Sequence, residues 1–243
     1  MMFRRSKGFF MPDLSQSNGS PVNAANGRTG TRRSETLTGS IDVEFPEFRT
    51  PPPEPMGLLA SWLESSVARG VREPRALALA TADTRGRTSS RIVVLTSMTD
   101  AGIVFLSHSS SQKGRELEEN PWASGVLYWR ETSQQITLAG PVDRLPDAEA
   151  DSMWFARPVF THAMSTASRQ SQPMDGLDRV AELRDRAREL GEPQRPLPRP
   201  TTFTAYRLAP DSVEFWADGT DRLHERLRYD RTGDGWRISR LQP

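Results

Sequence analysis

Residues 91–115 read Arg91-Ile92-Val93-Val94-Leu95-Thr96-Ser97-Met98-Thr99-Asp100-Ala101-Gly102-Ile103-Val104-Phe105-Leu106-Ser107-His108-Ser109-Ser110-Ser111-Gln112-Lys113-Gly114-Arg115, and the architecture is most legible here. Ile92 to Leu95 is apolar and rich in β-branched residues, as suits a buried strand. Thr99 to Gly102 is a turn, with glycine available for positive φ. Ile103 to Leu106 returns as a second strand. The hydroxyl-rich run Ser107–Ser111 then opens a helix, with Ser111 a natural N-cap. Free N–H groups and the helix dipole attract anions to such an end. Lys113 and Arg115 put cations in that first turn, where the dipole disfavours them. The pattern fits either a solvated helix start or a phosphate site, because a bound phosphate would offset the cations. Arg91 reaches the same place if the two strands pair.

Upstream, residues 1–40 are rich in Ser, Asn, Gly, Thr and Arg without apolar periodicity. Such a segment buries too little surface to offset its ordering entropy, and a disordered tail is expected. The folded domain is expected over 41–243. Phe45, Phe48 and Pro51-Pro52-Pro53 suggest an extended arm. Met56, Leu59, Trp62, Leu63 and Val67 recur at helical spacing between Pro55 and Gly70, predicting a core-facing helix. From Ala76 the period changes to strands, at 76–81 and 87–97, around the turn Asp83–Gly86.

Downstream, Asn120-Pro121 ends the helix. Trp122–Arg130 and Gln134–Leu145 read as long strands. A helix follows from Pro146 to about Phe155. Thr161–Gln172 is polar and predicts an irregular loop, the kind of segment that often carries function. Leu177, Val180, Leu183, Ala187 and Leu190 form one face of a helix closed by Gly191. Four strand-like pieces end the chain, at 203–208, 213–217, 227–231 and 236–241. Strands joined by short turns, with helices outside the strand runs, predict an α+β class: an antiparallel barrel with flanking helices.

The formal net charge of +1 gives no bulk attraction for nucleic acid. The absence of cysteine excludes disulfides, thiolate metal sites and cysteine nucleophiles, and with three His no metal site is expected. The lysines are Lys7 and Lys113, so the basic charge is otherwise arginine. No run approaches a membrane span. Arg4-Arg5 superficially resembles an export signal, but polar Pro12–Asn18 follows where an apolar region is needed. A cytoplasmic protein is expected.

Near the carboxyl end, Glu214-Phe215-Trp216, a short turn and Arg222-Leu223-His224-Glu225-Arg226 precede Trp236–Pro243. With Arg91-x-Val93-x-Leu95, Ser111-x-Lys113, Gln135, Arg157-Pro158 and Gln170-Ser171, this ordered set resembles the pyridoxamine-phosphate oxidase family over roughly residues 50 to 243. The resemblance implies a split β-barrel homodimer with FMN at the interface. Arg91, Ser107 and Lys113 would bind the FMN phosphate, with Leu106 and Gln112 beside them and the backbone of Ile92, Val93 and Val94 along the flavin. Gln135, Gln170, Ser171, Trp216 and Arg226 would complete the cofactor site, some from the second subunit. Arg222 and His224 would be catalytic, facing the substrate. A fixed arginine would stabilise the reduced flavin anion, and the His224 imidazole could exchange a substrate proton.

The substrate end departs from the vitamin-processing members. Thr96 stands where they carry lysine and Met153 where they carry tyrosine; Thr161 replaces their serine, and Gln112 a frequent arginine. Arg157 is kept. Losing two phosphate contacts argues against pyridoxine phosphate. The altered pattern resembles the branch of the family that works in phenazine biosynthesis. It implies a flat, anionic aromatic carboxylate substrate, oxidised with O2 as acceptor and release of hydrogen peroxide, and contacted by Thr96, Met153, Arg157, Thr161, Arg222 and His224. Alternatives are a true pyridoxine/pyridoxamine phosphate oxidase, or a non-catalytic flavin or nucleic-acid binder suggested by Arg222, Arg226, Arg228, Arg231, Arg237 and Arg240. The interleaved Asp221, Glu225, Asp230 and Asp234 oppose a phosphate-tracking stripe.

Overall fold

The computed structural model describes residues 39–219 and 223–243. The predicted tail therefore lies outside the described residues, apart from Gly39 and Ser40. The Gly39 N–H donates to Ser133 Oγ at 3.1 Å, and the Ile41 N–H to the Glu131 carbonyl at 2.9 Å.

The chain runs α1 (Pro55–Ala68), β1 (Ala76–Ala82), β2 (Thr88–Thr99), β3 (Gly102–His108), α2 (Gln112–Glu119), β4 (Trp122–Trp129) and β5 (Gln134–Arg144). There follow α3 (Asp147–Phe155), α4 (Phe160–Ala167), α5 (Gly176–Gly191), β6 (Phe203–Leu208), β7 (Ser212–Ala217), β8 (Glu225–Thr232) and β9 (Gly235–Arg240). The strand order β4-β1-β2-β3-β6-β5 closes through a further β4–β5 pairing into an antiparallel barrel, and β7, β8 and β9 continue the sheet from β5. The α+β expectation of a barrel with flanking helices is met.

Alternation along these strands sends Leu77, Leu79, Leu95, Phe105, Leu127 and Ile136 inward, and each is fully buried. Burial of such side chains contributes about 1.5–3 kcal/mol apiece. Helix α1 starts at Pro55 and lays Leu58, Leu59, Trp62 and Leu63 on the core. The Trp62 ring meets Phe215 edge-on at 5.2 Å and Phe45 at 4.8 Å. The expected extended arm thus anchors Phe45 in the core and makes a 3-10 turn at Pro46–Phe48.

Two local features position the site. First, β2 alternates rather than being buried throughout: Val93 and Leu95 point inward, whereas Ile92 and Val94 are 64% and 62% exposed. Second, its register to β3 shifts between Leu95 and Ser97, which makes Thr96 the extra residue of a β-bulge. The turn into β3 needs glycine: Gly102 has φ 137° and a Cβ there would lie 2.2 Å from the Leu208 carbonyl oxygen.

The predicted loop at 161–172 is in part a helix, α4. Its polar composition conceals the packing. His162 is fully buried and its ring lies 4.2 Å from that of Trp154. The imidazole engages backbone through both nitrogens: Nε2 faces the Trp154 carbonyl at 3.0 Å and Nδ1 accepts from the Leu197 N–H at 3.3 Å. A buried histidine does here what an apolar residue does in an ordinary amphipathic helix.

Candidate functional site: a cationic cleft beside an apolar strand face

Ile92 and Val94 form part of the wall of a cleft of about 870 Å³, also lined by Arg91, Val93, Thr96, Leu106, Gln112, Lys113, Arg157, Gln170 and Ser171. Strand β2 supplies the wall, the start of α2 one cationic end, and the α3–α4 connection another. The bulge places Thr96 in the same cleft. Exposed β-branched residues on a central strand have an unsatisfied apolar face, which is the chemistry of a surface that receives a flat ring or a partner.

At the α2 end the Ser111 side chain accepts the Gly114 N–H at 3.2 Å, capping the helix as predicted. A Cβ at Gly114 would lie 2.3 Å from the Ser109 carbonyl oxygen, so glycine lets the Ser107–Ser111 segment lie directly on the helix. Lys113 is buried and donates to Ser107 Oγ at 2.9 Å and to Gln170 Oε1 at 3.0 Å. Its partners are neutral oxygens. Burial, with the nearby Arg91 charge, lowers its pKa to about 8, while Glu116 pulls the other way. Arg115 turns away, to the Ser110 carbonyl.

Arg91 lines the cleft but is also tied below it. Its Nη1 donates to Thr81 Oγ1 at 2.6 Å and its Nη2 to Ser89 Oγ at 2.5 Å, with Glu116 Oε2 3.4 Å away. Ser171, next to Gln170, has φ 66°, a left-handed backbone at a non-glycine residue of the cleft.

Arg157 is a further cation of the cleft with no carboxylate partner among the described residues. Its guanidinium carbon lies 5.0 Å from the Trp154 ring centroid and 5.1 Å from that of Phe203. Nη2 donates to Ser165 Oγ at 3.1 Å, while Nη1 is buried without a hydrogen-bond partner among the described residues. Burial pulls its pKa below the ordinary arginine value, yet a guanidinium stays charged. An orphaned buried N–H next to a cleft is a vacant anion contact. His108, which carries no motif signal in the sequence, is buried and Nδ1 faces Thr202 Oγ1 at 3.0 Å; burial, then the charges of Arg157 and Lys113, lower its pKa.

The other expected residues fall elsewhere. Gln135, Trp216 and Arg226 form one cross-strand row over β5, β7 and β8, outside the cleft lining. Arg226 is paired with Glu214 at 2.7 Å and donates to the Gln242 carbonyl at 2.9 Å. The His224 ring lies 4.9 Å from Trp216. Its Nδ1 is 3.2 Å from Asp218 Oδ1, but off the angle of a hydrogen bond and without another partner among the described residues. Arg222 lies outside the described residues. Met153 packs on Val104, Leu145 and Ala205, and Thr161 gives its hydroxyl to the Pro158 carbonyl at 2.7 Å; neither lines the cleft.

Four of the carboxyl-terminal arginines have carboxylate partners: Arg226 with Glu214, Arg228 with Asp230, Arg231 with Asp211 and Arg237 with Asp230. These four arginines share three carboxylates, so most of that charge is neutralised locally. No helix among the described residues is long and apolar enough to cross a membrane.

Two family profiles match the chain: "Pyridoxamine 5'-phosphate oxidase" over residues 63–217, and "Pyridoxine 5'-phosphate oxidase C-terminal dimerisation region" over 203–243. A dihydrophenazinedicarboxylate synthase of Pseudomonas chlororaphis is 56% identical over 88% of this chain and 95% of its own. A pyridoxine/pyridoxamine 5'-phosphate oxidase of Rubrobacter xylanophilus is 36% identical over 92% of this chain and 100% of its own. Among solved structures, PhzG from Burkholderia lata 383, in complex with tetrahydrophenazine-1-carboxylic acid, superposes with a TM-score of 0.81 at 51% identity, covering 84% of this chain and 100% of that one.

Proposed function

This chain belongs to the pyridoxamine 5'-phosphate oxidase family, and on that footing we propose that it is a cytoplasmic, homodimeric, FMN-dependent oxidase that converts reduced phenazine carboxylates toward aromatic phenazine carboxylic acids. The observation that carries this reading is the cleft itself: an apolar wall, Ile92 and Val94, with Lys113 and the half-satisfied Arg157 among its lining residues. One cation suits the phosphate of a flavin nucleotide and the other the carboxylate of a flat substrate.

The residues present fit FMN. Lys113 is a buried ammonium hydrogen-bonded to neutral oxygens, and such a group is stabilised by an arriving phosphate. Ser107, Arg91, Gln112, Gln170 and Ser171 would share that work, with Leu106 and the Ile92–Val94 segment bordering the ring. When bound, FMN would supply the two-electron acceptor, and O2 would reoxidise it with release of hydrogen peroxide. The chain's own task is then to bind, orient and handle protons. Arg157, backed by two aromatic faces, would take the substrate carboxylate. His224 would take the proton that leaves the tricycle as its hydride departs, and Arg222 would stabilise the negative charge that develops.

Gln135, Trp216, His224 and Arg226 lie outside the cleft lining of their own chain. The match of 203–243 to a dimerisation region supports delivery of Trp216, His224 and Arg226 from a second copy, and Gln135 is the cross-strand neighbour of Trp216. Thr96, where the vitamin-processing relatives hold a lysine, favours a carboxylate over a phosphate-bearing substrate.

The purified protein should be yellow, and anaerobic addition of a dihydrophenazine dicarboxylate should bleach it. FMN-loaded protein that stays yellow with that compound but bleaches with pyridoxine phosphate would transfer the assignment to vitamin metabolism. Gel filtration should give the mass of a dimer.

A further inference from the structure

Glu116 lies on α2 one turn beyond Lys113, and its carboxylate is buried. Oε2 accepts from Thr81 Oγ1 and from Ser89 Oγ at 2.6 Å, and Oε1 accepts from Gln112 Nε2 at 2.9 Å. The same two hydroxyls accept from Arg91, Thr81 from Nη1 and Ser89 from Nη2. Each hydroxyl has one proton and free lone pairs, so each can take from the guanidinium and give to the carboxylate at once. Arg91 and Glu116 are therefore joined by two hydroxyl bridges from β1 and β2, besides their own 3.4 Å approach. Burial alone would raise the Glu116 pKa; hydrogen bonds from Ser89, Thr81 and Gln112 and the Arg91 charge outweigh it and hold the group ionised.

We propose that Glu116 is a positioning residue, a built-in counter-anion that fixes Arg91 through Thr81 and Ser89 and allows two cations, Arg91 and Lys113, to stand together before a phosphate arrives. The proposal rests on the FMN reading above. Without Glu116 the two cations repel across a buried site, and the ammonium, which can shed its proton, is the one that yields. The titratable and charged groups acting on Lys113 are Arg91 from β2, Glu116 from its own helix and His108 from the end of β3. Arg91 disfavours the charged ammonium and Glu116 favours it.

The test is flavin titration of the full chain after flavin removal, by fluorescence quenching with FMN and with riboflavin, from about pH 6 to about pH 9.5. In the unmodified protein FMN affinity falls as pH rises through about 8, the value to which Lys113 is lowered. In Glu116→Gln, which keeps an acceptor oxygen but not the charge, the fall should begin about one unit lower. Near pH 8 FMN should then bind roughly fivefold more weakly than in the parent, approaching tenfold near pH 9.5, and near pH 6 the two should agree within about threefold. Glu116→Asp, which keeps the charge, should retain the parental pH onset. Ser89→Ala removes one bridge with both charges intact, and should weaken FMN binding at every pH. Riboflavin, lacking the phosphate, should bind all variants alike.

An equal loss at every pH in Glu116→Gln, a loss shared by riboflavin, or Ser89→Ala binding FMN like the parent would each overturn the assignment. A parent protein that binds riboflavin as tightly as FMN would remove the phosphate reading itself, and this inference with it.

Discussion

The Lys113 ammonium donates to the Ser107 hydroxyl at 2.9 Å, and both side chains are buried. A cation held only by neutral oxygens favours an incoming phosphate, and it does so only while protonated. Folding lowers the Lys113 pKa to about 8. The charged form is thus the one that folding disfavours, and its contribution to protein stability improves as pH rises above that value. FMN binding should show the opposite sign, with full affinity below about 8 and a decline above it. Lys113→Met should weaken FMN binding by roughly 10- to 100-fold, the worth of one or two charge-assisted hydrogen bonds. Equilibrium dialysis against FMN at two pH values checks both statements; a mutant that retains tight, pH-sensitive binding would assign the phosphate elsewhere.

Thr96 stands at the β2 bulge in the cleft, whereas Met153 is packed on Val104, Leu145 and Ala205. Thr96→Lys should therefore raise affinity for pyridoxine phosphate by itself, by about tenfold for one charge-assisted contact. Met153→Tyr should instead cost about 1–3 kcal/mol of stability by overpacking an apolar cluster. Steady-state KM for pyridoxine phosphate and the unfolding midpoint report the two separately.

His162→Ala should lower stability by roughly 2–4 kcal/mol, since it leaves a cavity and strips the Leu197 N–H of its acceptor. Because the His162 ring packs at a tilt against Trp154, and Trp154 backs Arg157, the variant should also raise KM for the carboxylate substrate more than it lowers kcat. His162→Gln keeps one amide in reach of the same backbone and should recover part of both losses. Thermal melts and initial-rate kinetics decide it; an unchanged melting temperature would remove His162 from this structural role.

Gly114→Ala should compromise the phosphate end without touching a charged group. The added Cβ meets the Ser109 carbonyl oxygen at 2.3 Å and the His108 carbonyl oxygen at 2.5 Å, so the segment carrying Ser107 and Ser111 must move off α2. FMN affinity should drop at least about tenfold, with riboflavin affected far less. Parallel titrations with the two flavins test this.

Much of the barrel can be read from alternation and turn chemistry, and the Ser111 cap from one hydroxyl before Gln112. Those signals are local, and local signals survive folding. Thr161–Gln172 reads as a loop because His162 fills a core position with a polar side chain. Its two nitrogens are satisfied by backbone from α3 and from residue 197, neither visible in the segment itself. Ile92 and Val94 suggest a doubly buried strand; their exposure reflects the cleft, which no window of sequence contains. Glu116 is silent in the sequence because a glutamate three residues after a lysine is ordinary on a helix. Its meaning comes from Thr81 and Ser89, paired across β1 and β2. Met153 and Thr161 enter the expected substrate set by resemblance to the relatives, and no local signal shows that neither lines the cleft of its own chain.

The bulge at Thr96 has a consequence for how such a strand can change over time. Upstream of it, even-numbered residues of β2 face the cleft and odd-numbered ones the barrel, so a one-residue insertion there would exchange Arg91, Val93 and Leu95 for their neighbours. The irregular residue breaks this parity for the rest of the strand. A length change beyond Thr96 can therefore be absorbed at the bulge without re-facing Ile92 and Val94 on the cleft wall, leaving one end of the strand free to vary while the other keeps its parity.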